Sequence, residues 1–103
     1  MMNEGFKFDF RESMDYSETD SEYNEYFILN KFKYLDLTYT TSGFLYLKDI
    51  LEEFGMFNLA KEVPIYLGWD KTRNHEFKHR WQKCIDNFAI EIILNPYDIS
   101  KEA

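Results

Sequence analysis

Near the N-terminus Phe6, Phe8 and Phe10 alternate with Lys7 and Asp9, the period-two signature of a half-buried strand. The polar stretch from Glu12 to Glu25 then predicts a loop. From Tyr26 to Thr40 aromatic, aliphatic and threonine residues dominate. Phe32 and Tyr34 alternate with Lys31 and Lys33, and Leu35, Leu37 and Tyr39 alternate with Asp36, Thr38 and Thr40. This alternation predicts strands, and the change of parity between Tyr34 and Leu35 predicts a bulge or a break. Thr41-Ser42-Gly43 supplies turn chemistry, after which Phe44 to Leu47 resumes the extended pattern.

Leu47, Ile50, Leu51 and Phe54 fall at i, i+3, i+4 and i+7, with Lys48, Asp49, Glu52 and Glu53 on the other side, so a helix is predicted there. Gly55 is placed to end it, although no Ser, Thr, Asp or Asn stands at its expected N-cap. Asn58 to Glu62 predicts one further turn, stopped by Pro64, and Ile65 to Trp69 a short strand or loop. In Thr72 to Asn87 the apolar residues Phe77, Trp81, Cys84, Ile85 and Phe88 are spaced by four, three, one and three, which predicts a second helix. Asp86-Asn87 breaks it before Phe88 to Leu94, a mostly buried strand closed by Asn95-Pro96; residues 97–103 are expected as a loose tail. The sum is a single α+β domain over residues 1–103, an antiparallel or mixed β-sheet with two α-helices packed on one face.

Composition narrows the function classes. The 103 residues carry a net charge of −7, and 45% are hydrophobic and 19% aromatic, too many for a disordered acidic chain. Residues 1–26 hold eight Asp/Glu against two Lys/Arg and form an acidic strand and loop; residues 27–103 hold eleven against ten. The longest apolar runs, Tyr26 to Leu29 and Phe44 to Leu47, fall far short of the about 20 residues a membrane span needs. The first residues lack the features of a secretory signal, and the one cysteine, Cys84, can form neither an intrachain disulfide nor a cysteine zinc site. A cytoplasmic location in a bacterial host cell is expected, with Cys84 as a small core residue.

His75-Glu76-Phe77-Lys78-His79 matches H-E-x-x-H, in which two imidazoles one helical turn apart bind zinc and the glutamate between them activates water. On the predicted helix positions 75 and 79 lie within about 40° of each other. Lys71, Arg73, Lys78, Arg80 and Lys83 surround the motif with charge that repels a dication, and the third ligand is left to Glu91, Asp98 or Glu102. A zinc-dependent hydrolase using His75, His79 and Glu76 is therefore an alternative, and no catalytic residue, metal or cofactor is assigned. The same cations with Trp81 form a candidate nucleic-acid patch, but the acidic chain opposes it at long range and Trp81 suits the core, so direct nucleic-acid binding is not expected. No glycine-rich phosphate loop or nucleophile motif occurs.

The run Ser42-Gly43-Phe44-Leu45-Tyr46-Leu47-Lys48-Asp49-Ile50-Leu51-Glu52-Glu53-Phe54-Gly55-Met56, followed by Gly68-Trp69, resembles the C-terminal region of small uncharacterised proteins of Firmicutes and their phages. There a Gly-aromatic-hydrophobic strand leads into an Asp-containing helix that ends in Gly, then a Gly-Trp pair. The resemblance covers residues 35–95 and implies a mobile-element origin without transferring an activity. Phe, Ile, Asn, Lys and Tyr make up 42 of the 103 residues, the bias of an AT-rich genome.

Eight tyrosines and ten phenylalanines exceed what a core of this size hides, and tyrosine suits interfaces because it buries area while keeping a polar tip. The expectation is a non-enzymatic phage or prophage interaction protein. Asp15, Tyr16, Glu18, Asp20, Glu22, Tyr23, Glu25 and Tyr26 would meet a basic surface on a larger host or phage protein, one that handles nucleic acid. Inhibitors of host defence, anti-CRISPR proteins among them, work in this way as nucleic-acid mimics. The alternative to partner binding is that these tyrosines pin the N-terminal loop to the sheet. A homo-oligomeric phage structural or accessory protein is a further alternative.

Overall fold

The computed structural model describes residues 5–100 and is an α+β domain. Strand β1 (Phe6–Asp9) leads through a 3-10 turn at Phe10–Glu12 and an irregular segment into the long helix α1 (Ser21–Ser42). Then come β2 (Phe44–Tyr46), α2 (Leu47–Glu53), α3 (Phe57–Glu62), β3 (Leu67–Asp70), a 3-10 turn at Lys71–Arg73, β4 (His79–Lys83), β5 (Ile90–Leu94) and β6 (Tyr97–Asp98). Among the described residues two antiparallel three-stranded sheets replace the one sheet expected, ordered β1-β5-β4 and β2-β3-β6, and three α-helices replace two.

The largest correction is α1. Residues 26–40, expected as strands, are helical, and Asn24, Ile28, Phe32, Leu35 and Tyr39 form its buried stripe at spacings of four, four, three and four. The parity change at Leu35 is therefore the i+3 step of a helix, not a bulge. Both ends are capped: the Asp20 carboxylate accepts the Tyr23 N–H at 2.9 Å, and Gly43, at φ 83°, donates its N–H to the Tyr39 carbonyl. The threonines that read as strand residues bond back into the helix, Thr38 Oγ1 to the Tyr34 carbonyl and Thr40 Oγ1 to that of Asp36. Asp20→Ala is expected to cost about 1 kcal/mol in urea denaturation and Asp20→Asn only a few tenths, because asparagine keeps the cap.

The second correction concerns residues 72–87, expected as a helix. They hold a 3-10 turn, an irregular stretch and β4, which pairs with β5 in the register His79↔Leu94, Trp81↔Ile92 and Lys83↔Ile90. Phe77, His79 and Trp81 alternate with Lys78, Arg80 and Gln82, and the helical spacing from Phe77 to Trp81 is coincidental. Ile85 and Phe88, expected inside, stand at the tip of the β4–β5 hairpin, 89% and 77% exposed. Phe88 lies outside β5 with φ 62°. The tail is tied down as far as it is described: β6 pairs with β3, and the Ile99 N–H bonds to the Tyr66 carbonyl. Residues 101–103 of the expected tail, and residues 1–4 of the expected acidic segment, lie outside the described residues.

Ser21 to Glu25, expected as the end of a loop, are the first turn of α1, and Cys84, expected in the core, is half-buried at the end of β4; several other expectations hold. Phe6 to Asp9 is a strand, with Phe10 just beyond it, and Leu47 to Glu53 is helical with Leu47, Ile50 and Leu51 buried. Gly55 stops α2 at φ 74°, and Tyr46, at the N-cap of α2, offers no side-chain bond. Phe54 sits in the middle of the core, its ring 5.1 Å from Phe32, 5.7 Å from Phe8 and 6.3 Å from Phe10. Trp81 packs against the core as expected. Among the described residues no helix is long and apolar enough to cross a membrane.

Candidate interaction surface

The segment between β1 and α1 is held by its polar groups. The buried Asn24 side chain closes a ring with Ser17, accepting its N–H at 2.8 Å and donating to its carbonyl at 2.8 Å. Ser17 Oγ in turn accepts the N–H groups of Thr19 and Asp20. Ser13 is buried and bonds the Phe54 carbonyl, and the Met14 N–H bonds that of Gly55. The acidic loop is thus fastened to α1 and to the end of α2, which gives the backbone of its acidic residues fixed positions.

Those fixed positions sort the expected partner-binding residues into different roles. Tyr16 is half-buried, its ring edge-on to Phe10 at 6.1 Å, so this tyrosine does pin the loop to the core. Asp15 is half-buried beside Gly55, and Asp20 is engaged as the cap of α1. Glu25 pairs with Lys83 of β4. Glu18 and Glu22 are exposed and make no ion pair among the described residues. Tyr23 leans on Phe27 at 6.0 Å and is 42% exposed, and Tyr26 is 69% exposed.

Tyr23 and Tyr26 begin a longer surface that the strand assignment hid. Tyr34 and Leu37 fall on the same side of α1, roughly opposite the buried stripe, with Leu29 on its flank. Leu37 is 66% exposed. From Tyr23 to Leu37 the stripe runs about 21 Å along the helix. Beside Tyr34 it opens into a depression of about 610 Å³ shared with Phe44, Tyr46 and Asp49. Lys31 closes one wall, paired with Glu53 at 2.8 Å and lying over the Phe27 and Tyr34 rings. Scattered exposed apolar side chains are ordinary; here five stand on the outer half of one helix, with the polar Asn30 and Lys33 among them, and they form a candidate interaction face. The sequence signal that would have found it is Asp20 as a cap, Gly43 as a stop, and two interleaved stripes of helical period between them.

At the acidic end of α1 the hairpin tip adds a second apolar element. Phe88 and Lys83 line a depression of about 270 Å³ together with Tyr16, Glu18 and Thr19. Arg11 reaches the same hairpin, donating to the Asn87 carbonyl at 2.8 Å while pairing with Asp9. Burial works against ionisation of Asp9, yet the Arg11 side chain and the Arg11 and Ile90 N–H groups outweigh it and hold its carboxyl below the usual range. The cations near this end, Arg11 and Lys83, are thus each committed to a carboxylate.

The two histidines of the H-E-x-x-H match do not converge. The segment carrying them is irregular from His75 to Lys78 and enters β4 at His79, so no helical turn brings the rings together, and each ring has its own partners. His75 stacks on Tyr97 at 3.8 Å, and its Nδ1 accepts the Asp70 N–H at 3.1 Å. Burial, with Arg73 nearby, holds its pKa below the ordinary histidine value against the pull of Asp70. His79 stacks on Phe32 at 4.0 Å and places Nε2 at 3.0 and 3.1 Å from the two Asp36 carboxylate oxygens. Glu76 faces solvent, Glu91 bonds to Gln82, and Asp98 bonds to Ser100; Glu102 lies outside the described residues. Among the described residues no group of three or more His, Cys, Asp or Glu could hold a metal ion, so the donor set does not fit a zinc site.

The basic segment also divides. Trp81 turns to the core, Arg73 pairs with Asp70, Lys83 with Glu25, and Lys71 donates to the Thr40 carbonyl, leaving Lys78 and Arg80 on the opposite sheet face. No protein family, curated protein or solved structure matches this chain.

Proposed function

We propose that this chain is a small interaction protein that binds a larger protein through the outer face of α1. The observation that carries the proposal is the stripe Tyr23, Tyr26, Leu29, Tyr34 and Leu37, exposed on a helix whose opposite side is fully committed to the core. Its acidic start, with Glu18 and Glu22 free of ion pairs among the described residues, fits an apolar groove rimmed by lysine and arginine. Nucleic-acid-handling proteins are candidates, because their basic surfaces attract carboxylates of this kind. The reading thus extends to a phage or prophage protein that occupies such a site on a host defence nuclease, in the manner of anti-CRISPR proteins.

Tyr26→Ser combined with Leu37→Ser tests the face without touching the core. Tyrosine anchors at interfaces are worth about 2 kcal/mol or more, so the pair is expected to weaken capture of a basic partner by well over tenfold. The folding midpoint should stay within about 0.5 kcal/mol of the parent. The measurement compares partner yields from cross-linking in host extract for the parent, the double variant and a Lys61→Ser control, with added single-stranded DNA as competitor. Equal yields from parent and double variant would overturn the reading. A concentration-dependent dimer of the parent in sedimentation, lost in the double variant, would assign the face to self-assembly instead.

A further inference from the structure

On the β1-β5-β4 sheet, strand alternation turns Phe8, Ile92 and Trp81 toward the core and Lys7, Ile93 and Arg80 away from it. The register makes the last three one row across the three strands, Lys7↔Ile93↔Arg80. Ile93 is buried although it is not part of the core cluster, so its cover lies on the outer face, where Lys7 and Arg80 are its neighbours on either strand. With Gly5, Lys78 and Asn95 this row lines a pocket of about 430 Å³. A Cβ at Gly5 would meet nothing within 4 Å among the described residues.

Of the three cations here, Lys7 and Arg80 have no ion-pair partner among the described residues, in a chain of net charge −7. Arg11, Lys31, Lys48, Arg73 and Lys83 each pair with a carboxylate. Lys7 and Arg80 make no ion pair among the described residues: the Arg80 guanidinium reaches only Gln82 Oε1 at 3.5 Å. Lys78 has an exposed Glu76 carboxylate at 3.5 Å and no closer carboxylate among the described residues. Asn95 is a positioning residue for this wall. It is buried, its Oδ1 accepts the Trp69 Nε1–H and the Lys78 N–H, and its Nδ2 donates to the Glu76 carbonyl.

We propose that this pocket binds a compact phosphate-bearing small molecule of about the size of one nucleotide. Lys7 and Arg80 stand two strand spacings apart, about 10 Å between backbones, and both side chains are long enough to converge on a diphosphate between them. Ile93 supplies an apolar floor for the rest of the ligand, and the volume lies in the range of small-molecule sites. A polymer is disfavoured by the next row on the same face, Asp9↔Glu91↔Gln82, whose two carboxylates would meet a continuing phosphate backbone.

The test is a titration of the full chain with inorganic pyrophosphate, ADP and a thymidine oligonucleotide at low salt, followed by backbone amide NMR shifts. Pyrophosphate and ADP are expected to shift the amides of Lys7, Lys78, Arg80 and Ile93 saturably, with half-saturation on the order of 1 mM. Lys7→Gln combined with Arg80→Gln should weaken this at least tenfold, while Lys61→Gln on α3, which lines no part of the pocket, leaves it unchanged. No saturable shift up to about 20 mM, or shifts that survive the double substitution, would overturn the proposal. Sulfate producing the same shifts at the same concentration would reduce it to unspecific charge attraction. An oligonucleotide binding more than tenfold tighter than ADP would replace the small molecule by a polymer. These outcomes leave the α1 face unaffected, because the pocket shares no residue with it.

Discussion

Replacing Trp69 with alanine is expected to remove about 3–5 kcal/mol of folding stability, the largest loss among single substitutions considered. Trp69 is fully buried on β3, paired across to Leu45 of β2, with the Phe77 ring edge-on at 4.9 Å. Its Nε1–H bonds to Asn95 Oδ1 at 2.9 Å, so the indole ties the sheet of β3 to the turn that follows β5. Truncation leaves a cavity the size of a bicyclic ring. Asn95 Oδ1 still accepts the Lys78 N–H, so the lost packing, not an orphaned polar group, sets the cost. A domain of this length has a total stability of about 5–15 kcal/mol, so the variant should lose a large share of it. Urea denaturation followed by the fluorescence of Trp81, the second of the two tryptophans, measures the loss. A change below about 1 kcal/mol would contradict the placement of Trp69 in the core.

Gly68→Ala should rank second, at about 3 kcal/mol or more, although it adds a single methyl group. A Cβ at Gly68 would overlap the Leu45 carbonyl oxygen and stand 3.0 Å from Tyr46 Cα and 3.2 Å from the Leu45 carbonyl carbon. All three are backbone atoms, so no rotamer change relieves the clash and β2 must move away from β3. That movement is transmitted directly, because β2 runs without a break into α2, whose Leu47, Ile50 and Leu51 are all fully buried. Gly43→Ala is the matched comparison. Gly43 has φ 83° and only Lys71 Cβ within reach, at 3.9 Å, so its substitution pays the left-handed conformation alone, about 1–2 kcal/mol. Equal losses at the two positions, measured by the same urea transitions, would show that the close approach of β2 to β3 is not what demands glycine at 68.

The elements that could be read from the chain are those whose local signals agree. In α2 the apolar spacing, the charged opposite side and the Gly55 stop all indicate a helix, and β1 shows clean alternation over Phe6 to Asp9. In α1 the signals conflict. Threonines and aromatics favour strands, and the exposed Tyr26, Tyr34 and Leu37 fill the gaps between the buried positions, so no polar side stands out. Over Thr72 to Asn87 the conflict has the opposite outcome, since Phe77 and Trp81 sit four apart by accident while the pairing with β5 enforces extension. The candidate surface inherited both errors. Tyr23 and Tyr26 were visible as an acidic-aromatic segment, but their continuation along α1, and the exposure of Ile85 and Phe88, depended on the elements around them.

Sequence alone therefore determined the α+β class, the two strands flanking α1, the helix that Gly55 ends, and the concentration of acid ahead of residue 27. Each rests on interactions within a few residues: periodicity, capping and composition. Tertiary structure decided whether residues 26–40 curl or extend, where His75 and His79 turn, and which face carries Lys7 and Arg80 together. Those outcomes depend on partners distant in the chain, such as Asp36 for His79 and Ile93 for both cations. Local preference differs by only about 1 kcal/mol per residue between helix and strand, so the burial gained against such partners outweighs it.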